Sequence, residues 1–185
     1  LIIDDPSDTW SHDIKSFSKV IGKFSDTVLT ILEKGPLRVK MRSLSKYNAS
    51  VLTIDWSLYS GIKTIEVKVT LDWHEHLKML KFSFPADVDS PSAVYETAYG
   101  TIERAVNGDE DPGQRWVDIE GTRNGKVKGL AVINDAKYGY SVHGSDLRIS
   151  VARSAVYAHH NPRVLDMNAE HLWMDQGIQN FRMLI

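Results

Sequence analysis

A chain of 185 residues, 42% hydrophobic and 25% charged, has the composition of a globular protein able to bury a sizeable core. With a net charge of −2 it has no basic block to neutralise a run of phosphates, and it has no apolar run of about eighteen residues for a membrane helix, so neither nucleic acid nor a membrane is expected as a partner. The absence of cysteine excludes disulfides and thiolate metal sites and fits a reducing compartment, so a cytoplasmic location is expected.

The chain begins at Leu1 without a signal-peptide plan and ends at Leu184-Ile185 inside an apolar pattern. With no internal repeat or low-complexity linker, residues 1–185 are expected to be one domain, a piece of a longer protein. Asp8, Trp10 and His12 are the first candidate site. An indole can stack on the apolar face of a sugar while a carboxylate and an imidazole bond its hydroxyls. The alternative is a tryptophan buried at a sheet edge, with Asp8 capping a turn. Asp13 to Phe24 is the one segment able to carry a short turn of helix, and its Gly22 and serines oppose a long one.

From Val28 to Phe84 apolar residues recur with period two, the signature of strands with one inward face. Val39 and Met41 mark a strand after Gly35-Pro36. Leu52, Ile54, Trp56 and Leu58 mark the next, and Ile65, Val67, Val69, Leu71 and Trp73 another, with a hairpin turn beginning at Ser60-Gly61. Leu80, Phe82 and Phe84 continue the pattern to Pro85, so a meander is expected. His74-Glu75-His76 brings two imidazoles to one strand face, but a zinc site needs at least three protein ligands, and a polar hairpin end is the simpler reading. The acidic loop Asn107 to Asp111 lacks the ligand spacing of a calcium loop and reads as a solvated turn. Further strands are marked by Leu130 to Ile133 and by Leu147, Ile149 and Val151. The whole is an all-β, large antiparallel β-sandwich.

Lys137-Tyr138-Gly139-Tyr140 follows the Leu130 to Asn134 strand. Gly139 is expected to turn the backbone with positive φ between the two rings. Two readings are open: Lys137 and Tyr138 face a substrate cleft, or Lys137 pairs with an acidic loop residue while the tyrosines close the sandwich edge. Arg148 and Arg153 call for carboxylate partners, and His159, His160 and His171 read as surface residues. The chain has neither a Gly-x-Ser-x-Gly nucleophile elbow nor a phosphate-cradling glycine loop.

Several motifs together resemble the glycoside hydrolase family 38 α-mannosidases. They are Ser7-Asp8-Thr9-Trp10-Ser11-His12, Leu32 to Arg38, Tyr99-Gly100-Thr101-Ile102-Glu103-Arg104, Glu110-x-Pro112-x-x-x-Trp116, Asn134 to Tyr140, the Arg148/Arg153 segment, and Asp175-Gln176-Gly177. Gln179 stands where the family usually has histidine. The resemblance implies a galactose-mutarotase-like super-sandwich from the C-terminal half of an enzyme that hydrolyses terminal α-D-mannosides with retention. It implies that the nucleophilic aspartate and a divalent metal, zinc, belong to an N-terminal α/β domain whose motifs are not in this chain, leaving no cofactor and no catalytic residue here. The implied partners are an α-mannoside and the catalytic domain of the same polypeptide, with Asp8, Trp10, His12, Lys137 and Tyr138 as substrate contacts. The competing expectations are an independent carbohydrate-binding module and a purely architectural domain with a broad apolar docking patch.

Overall fold

The computed structural model describes residues 1–12, 14–159 and 162–185. Fifteen strands appear among them: β1 (Ile2–Asp4), β2 (Val20–Gly22), β3 (Ser25–Lys34), β4 (Arg38–Tyr47), β5 (Ser50–Tyr59), β6 (Ile65–Trp73), β7 (Lys78–Pro85), β8 (Asp89–Thr97), β9 (Gly100–Arg104), β10 (Asp111–Pro112), β11 (Trp116–Arg123), β12 (Lys126–Asn134), β13 (Gly139–His143), β14 (Asp146–Arg153) and β15 (Gly177–Leu184). They form two antiparallel sheets, β10-β13-β14-β7-β1-β2 and β3-β4-β5-β6-β15-β12-β11-β8-β9. Side chains from both fill one core, Leu80, Val142, Leu147 and Ile149 from the smaller sheet meeting Val67, Val69, Ile119 and Phe181 from the larger, so the molecule is a β-sandwich.

No helix appears among the described residues, and Asp13 lies outside them, so the helical turn expected in this segment is not formed in its described part. Phe17 instead packs with Ile3 and Met79 on the outer face of the smaller sheet, and Val20–Gly22 pairs with β1. A buried aromatic outweighs the weak helical preference of a serine-rich segment.

The expected meander holds from β3 to β6 and then breaks. β7 crosses to the smaller sheet, where it pairs with β14 on one side and β1 on the other. Glu75 anchors the crossover loop: it is buried and accepts hydrogen bonds from Asn48 Nδ2 and Ser50 Oγ, each at 2.9 Å. Period two cannot separate these topologies, because inward residues of either sheet look alike in sequence.

The larger sheet extends past the smaller one, so β3, β4 and β5 make an arm. Register places Val67, Trp56, Met41 and Ile31 in one row on the inward face. Along that row exposure rises from 0% at Val67 to 66% at Ile31. The outward face of the same arm is ionic, with Asp55 held by Arg42 at 2.6 Å and by Lys40 at 3.0 Å. The Arg42 hydrogen bonds hold the Asp55 carboxyl at about 2, well below the usual range. The edge strand β3 is bulged twice, its register with β4 shifting between Ser25 and Val28 and again between Ile31 and Glu33.

Candidate functional site

Register also decides which loops meet. Trp73 pairs with Gly177, Met79 with Arg153, and Asp4 with Lys78, so the loops after β1, β6 and β14 gather at one end of the sandwich. The 135–138 loop doubles back along β15 to the same end, where Lys137 Nζ donates to Gln179 Oε1 at 2.6 Å.

Arg153 holds this end together. Its Nε donates to Asp5 Oδ2 at 2.7 Å, its Nη2 to the Asp8 carbonyl at 2.7 Å and its Nη1 to the Thr9 carbonyl at 3.2 Å. The guanidinium also lies over the Phe17 ring, 5.2 Å from the centroid. Its backbone N–H donates to Asp175 Oδ2 at 2.9 Å. Arg148 pairs with Asp146 at 2.6 Å, so both arginines have the carboxylate partners expected of them.

The Asp8, Trp10 and His12 turn hangs from this clasp. Asp8 is buried, and its Oδ1 accepts the Trp10 backbone N–H at 3.0 Å. The capping role expected under the simpler reading is therefore real for Asp8, whereas the buried tryptophan that went with it is not: Trp10 is 59% exposed. His12 lies beside both, its Nε2 3.8 Å from Asp8 Oδ2 and its ring centroid 5.8 Å from that of Trp10. A pocket of about 290 Å³ opens here, lined in part by Asp8, His12, His159 and Arg163.

Lys137 is half-buried, and its ammonium lies 5.2 Å from the centroid of the Phe181 ring. Burial lowers its pKa, with the Asp175 charge opposing the change. Its hydrogen-bond partner is Gln179, and the acidic residue acting on it is Asp175. Gln179 in turn donates from Nε2 to the Asp175 carbonyl at 2.9 Å, so Lys137 is joined through Gln179 and Asp175 to Arg153 and the Asp8 turn. Beside Arg153 and Asp175 lies a smaller pocket of about 230 Å³ whose lining also includes Ser11 and Glu110.

The two tyrosines divide. Tyr138 is exposed, while Tyr140 is fully buried, its hydroxyl accepting from Asn134 Nδ2 and donating to the Gln114 carbonyl, both at 2.7 Å. Burial pushes that hydroxyl up to about 12. Gly139 does not take positive φ; a side chain there would meet Glu110 Oε1 at 3.1 Å and Ser150 Cβ at 3.2 Å, so the glycine serves a close approach within β13. The reason is Glu110. The acidic loop is not simply a solvated turn, because Glu110 folds onto the buried Lys81 and onto Ser150, and Lys81 Nζ donates to Ser141 Oγ at 2.8 Å. Asp111 pairs with Arg104 at 3.1 Å.

An aromatic run at the same end has no counterpart among the sequence expectations. His76 stacks on Trp173, centroids 4.3 Å apart and planes within 10°. Trp173 meets His171 edge-on at 5.7 Å, and His171 meets His159 at 5.7 Å. His159 and His171 are therefore half-buried packing residues and not free surface side chains, while His160 lies outside the described residues. Nothing in the residue spacing links position 76 to position 173; the Trp73–Gly177 pairing, the hydrogen bond from Gln176 Nε2 to the Glu75 carbonyl and the Val156–Trp173 bridge do. His74 turns instead to Asp72, 2.7 Å away, so the two imidazoles of the His-Glu-His segment do not converge. Among the described residues no group of three or more His, Asp or Glu side chains could hold a metal ion, so they do not fit a zinc site.

An exposed indole beside an imidazole, with an ammonium within the same hydrogen-bonded network, can stack on a pyranose and bond its hydroxyls. The carboxylates near them are committed to structure: Asp5 to Arg153, Asp8 to the Trp10 amide, Glu110 to Lys81 and Asp175 to the Arg153 amide.

Residues 3–161 match the family model described as the glycosyl hydrolases family 38 C-terminal domain. The chain is 31% identical over 159 residues to alpha-mannosidase 2C1 of Homo sapiens, covering 81% of this chain and 15% of that protein. It is 29% identical over 159 residues to alpha-mannosidase 2C1 of Mus musculus, with the same coverage of 81% and 15%. With alpha-mannosidase G of Dictyostelium discoideum the identity is 28% over 161 residues, 80% of this chain and 14% of that protein. The chain thus spans about 15% of the length of the curated relatives it matches.

Proposed function

This chain belongs to the glycosyl hydrolases family 38 C-terminal domain, and from that membership we propose that residues 1–185 form one β-sandwich unit of a longer α-mannosidase. The parent hydrolyses terminal α-D-mannosides with retention in the cytoplasm. This unit supports the catalytic domain of the same polypeptide and walls part of its cleft, offering Trp10 and His12 as a stacking and hydrogen-bonding pair and Lys137 and Tyr138 as further polar contacts. Asp8 takes part by holding the Trp10 backbone. Zinc and the catalytic carboxylates belong to the rest of the polypeptide, and no step of the reaction is carried by this chain.

The observation that carries this reading is the chain Lys137–Gln179–Asp175–Arg153–Asp8, which ties both candidate groups to one end of the sandwich although they lie far apart in sequence. Convergence of polar and aromatic groups at one end is what a cleft wall requires. The test is an aryl α-mannoside assay. The 185-residue chain should be inactive, and the longer polypeptide should turn over and lose substrate affinity on Trp10→Ala or Lys137→Met. Zinc-dependent turnover by the 185-residue chain alone would refute the proposal.

The exposure of Trp10 favours a second reading, an independent carbohydrate-binding module. Calorimetry separates the two: millimolar or tighter binding of mannose or mannobiose by the 185-residue chain, lost in Trp10→Ala, selects the module.

A further inference from the structure

The arm of β3, β4 and β5 has an inward face built for burial, packed on the core at Ile54 and Trp56 of β5 but left exposed at Leu29 and Ile31 of β3. Leu29 and Ile31 on β3 share that face with Met41, Trp56 and the neighbouring Val39–Leu58 pair. Leu29 and Ile31 are each more than 60% exposed, although the same rows continue into the fully buried Val69 and Val67 of β6. The outward face of these strands carries the Arg42–Asp55–Lys40 cluster and the Arg38–Glu33 pair, so the arm has a true inside and outside. Beside it the space between the sheets opens as an apolar cavity of about 270 Å³, walled by Phe24, Trp56, Phe82 and Phe84 among others. The larger sheet has nine strands where the smaller has six, and the smaller ends at the three-residue β2.

The geometry points to a covering layer: β-strands from the remainder of the longer polypeptide extend the smaller sheet past β2 and seat their apolar side chains on Leu29, Ile31, Val39, Met41, Trp56 and Leu58. This rests on the reading of the chain as part of a longer protein, which the relatives' length supports, since they hold most of their residues outside the matched region. A second copy joining edge to edge through β3 is the weaker occupant. Both bulges twist that edge, and such pairing would leave the inward face as bare as before.

This chain has no cysteine, which makes the test direct. Leu29→Cys, Ile31→Cys and the outward-facing control Thr30→Cys are placed singly in the 185-residue chain and in the longer polypeptide. Maleimide labelling is then read by mass spectrometry on the peptide carrying the new thiol. All three should label quickly in the 185-residue chain. In the longer polypeptide the thiols of Leu29→Cys and Ile31→Cys should slow by about 100-fold while that of Thr30→Cys stays fast, as expected for groups that react only through local opening. Equal rates for Ile31→Cys in the two proteins would overturn the covering layer, as would protection that extends to Thr30→Cys. Slow labelling of Ile31→Cys in the 185-residue chain, together with a doubled mass by light scattering, would assign the face to a second copy and overturn the inference. A native protein whose intact mass is that of 185 residues would remove the longer polypeptide itself, and the proposed function with it. That outcome is distinct from fast labelling of Ile31→Cys in a longer chain.

Discussion

The end of the sandwich clasped by Arg153 and the arm of β3, β4 and β5 both grow from alternating strands, yet their interactions are of opposite kinds. At the clasped end the buried charges are held by partners: Asp5 by Arg153, Lys81 by Glu110, and Glu75 by hydrogen bonds from Asn48 and Ser50 with Lys78 at 3.6 Å. On the arm the charges lie on the outside and aliphatic side chains stand exposed on the inside. Removing a partner from a buried pair leaves an uncompensated charge, whereas truncating an exposed aliphatic residue removes little that was out of water. The clasped end should therefore be brittle, and the arm tolerant, in the 185-residue chain.

The largest expected effect is at the clasp. Arg153→Ala strands the buried Asp5 carboxylate and frees the Asp8 and Thr9 carbonyls, and should cost about 3–5 kcal/mol in urea unfolding. A loss below about 1 kcal/mol would show that the end is not held by charge. Next comes Glu110→Gln, which leaves the Lys81 ammonium without its counter-charge and should cost about 2–3 kcal/mol. The double variant Lys81→Met/Glu110→Gln should regain most of that loss, because an apolar side chain at position 81 carries no desolvation penalty. Gln179→Ala breaks one charge-assisted hydrogen bond and should cost about 1–2 kcal/mol, with the Lys137 signal in NMR spectra losing its fixed environment.

The two regions differ in titration as well. The folded-state pKa of Asp55, on the arm, is depressed from 3.8 to about 2, so its contribution is complete above pH 4 and is lost as the pH falls towards 2. Screening keeps it to about 1 kcal/mol, and Asp55→Asn should abolish this part of the acid sensitivity. The smallest effect should come from Ile31→Ala, within about 0.5 kcal/mol of the parent in the 185-residue chain. A larger loss there would mean that the arm is already covered.

What sequence conveys and what it hides divide along the same line. The alternation of Leu52 to Leu58 and of Ile65 to Trp73 predicts both strands, their hairpin and their inward faces, because that information is local. The crossing of β7 is not local; it depends on Met79 and Leu80 finding β14 and β1. The candidate site follows the same logic. The Asp8–Trp10–His12 turn is a contiguous motif and can be read directly, and so can Lys137 and Tyr138. Their connection through Gln179 and Asp175 spans 42 residues at one step and cannot be read from spacing. In sequence Gln179 reads as the loss of a titrating histidine; the structure gives it a role an amide performs well, accepting from Lys137 and donating to the Asp175 carbonyl at once. Lys81 gives no sequence signal at all, because a lysine on an outward-facing strand position is ordinary until a loop folds over it.

The two bulges in β3 carry a consequence for how the chain behaves in a crowded solution. Ser25 to Lys34 combines aliphatic and β-branched residues on an open edge, a composition that invites stacking into fibrils. Between the bulges only Val28 to Ile31 keep an unbroken register with β4. Four residues fall short of the six or seven that a dry steric zipper uses. The edge thus keeps an apolar face for its folded partner while denying an incoming strand the regular ladder from which amyloid would grow.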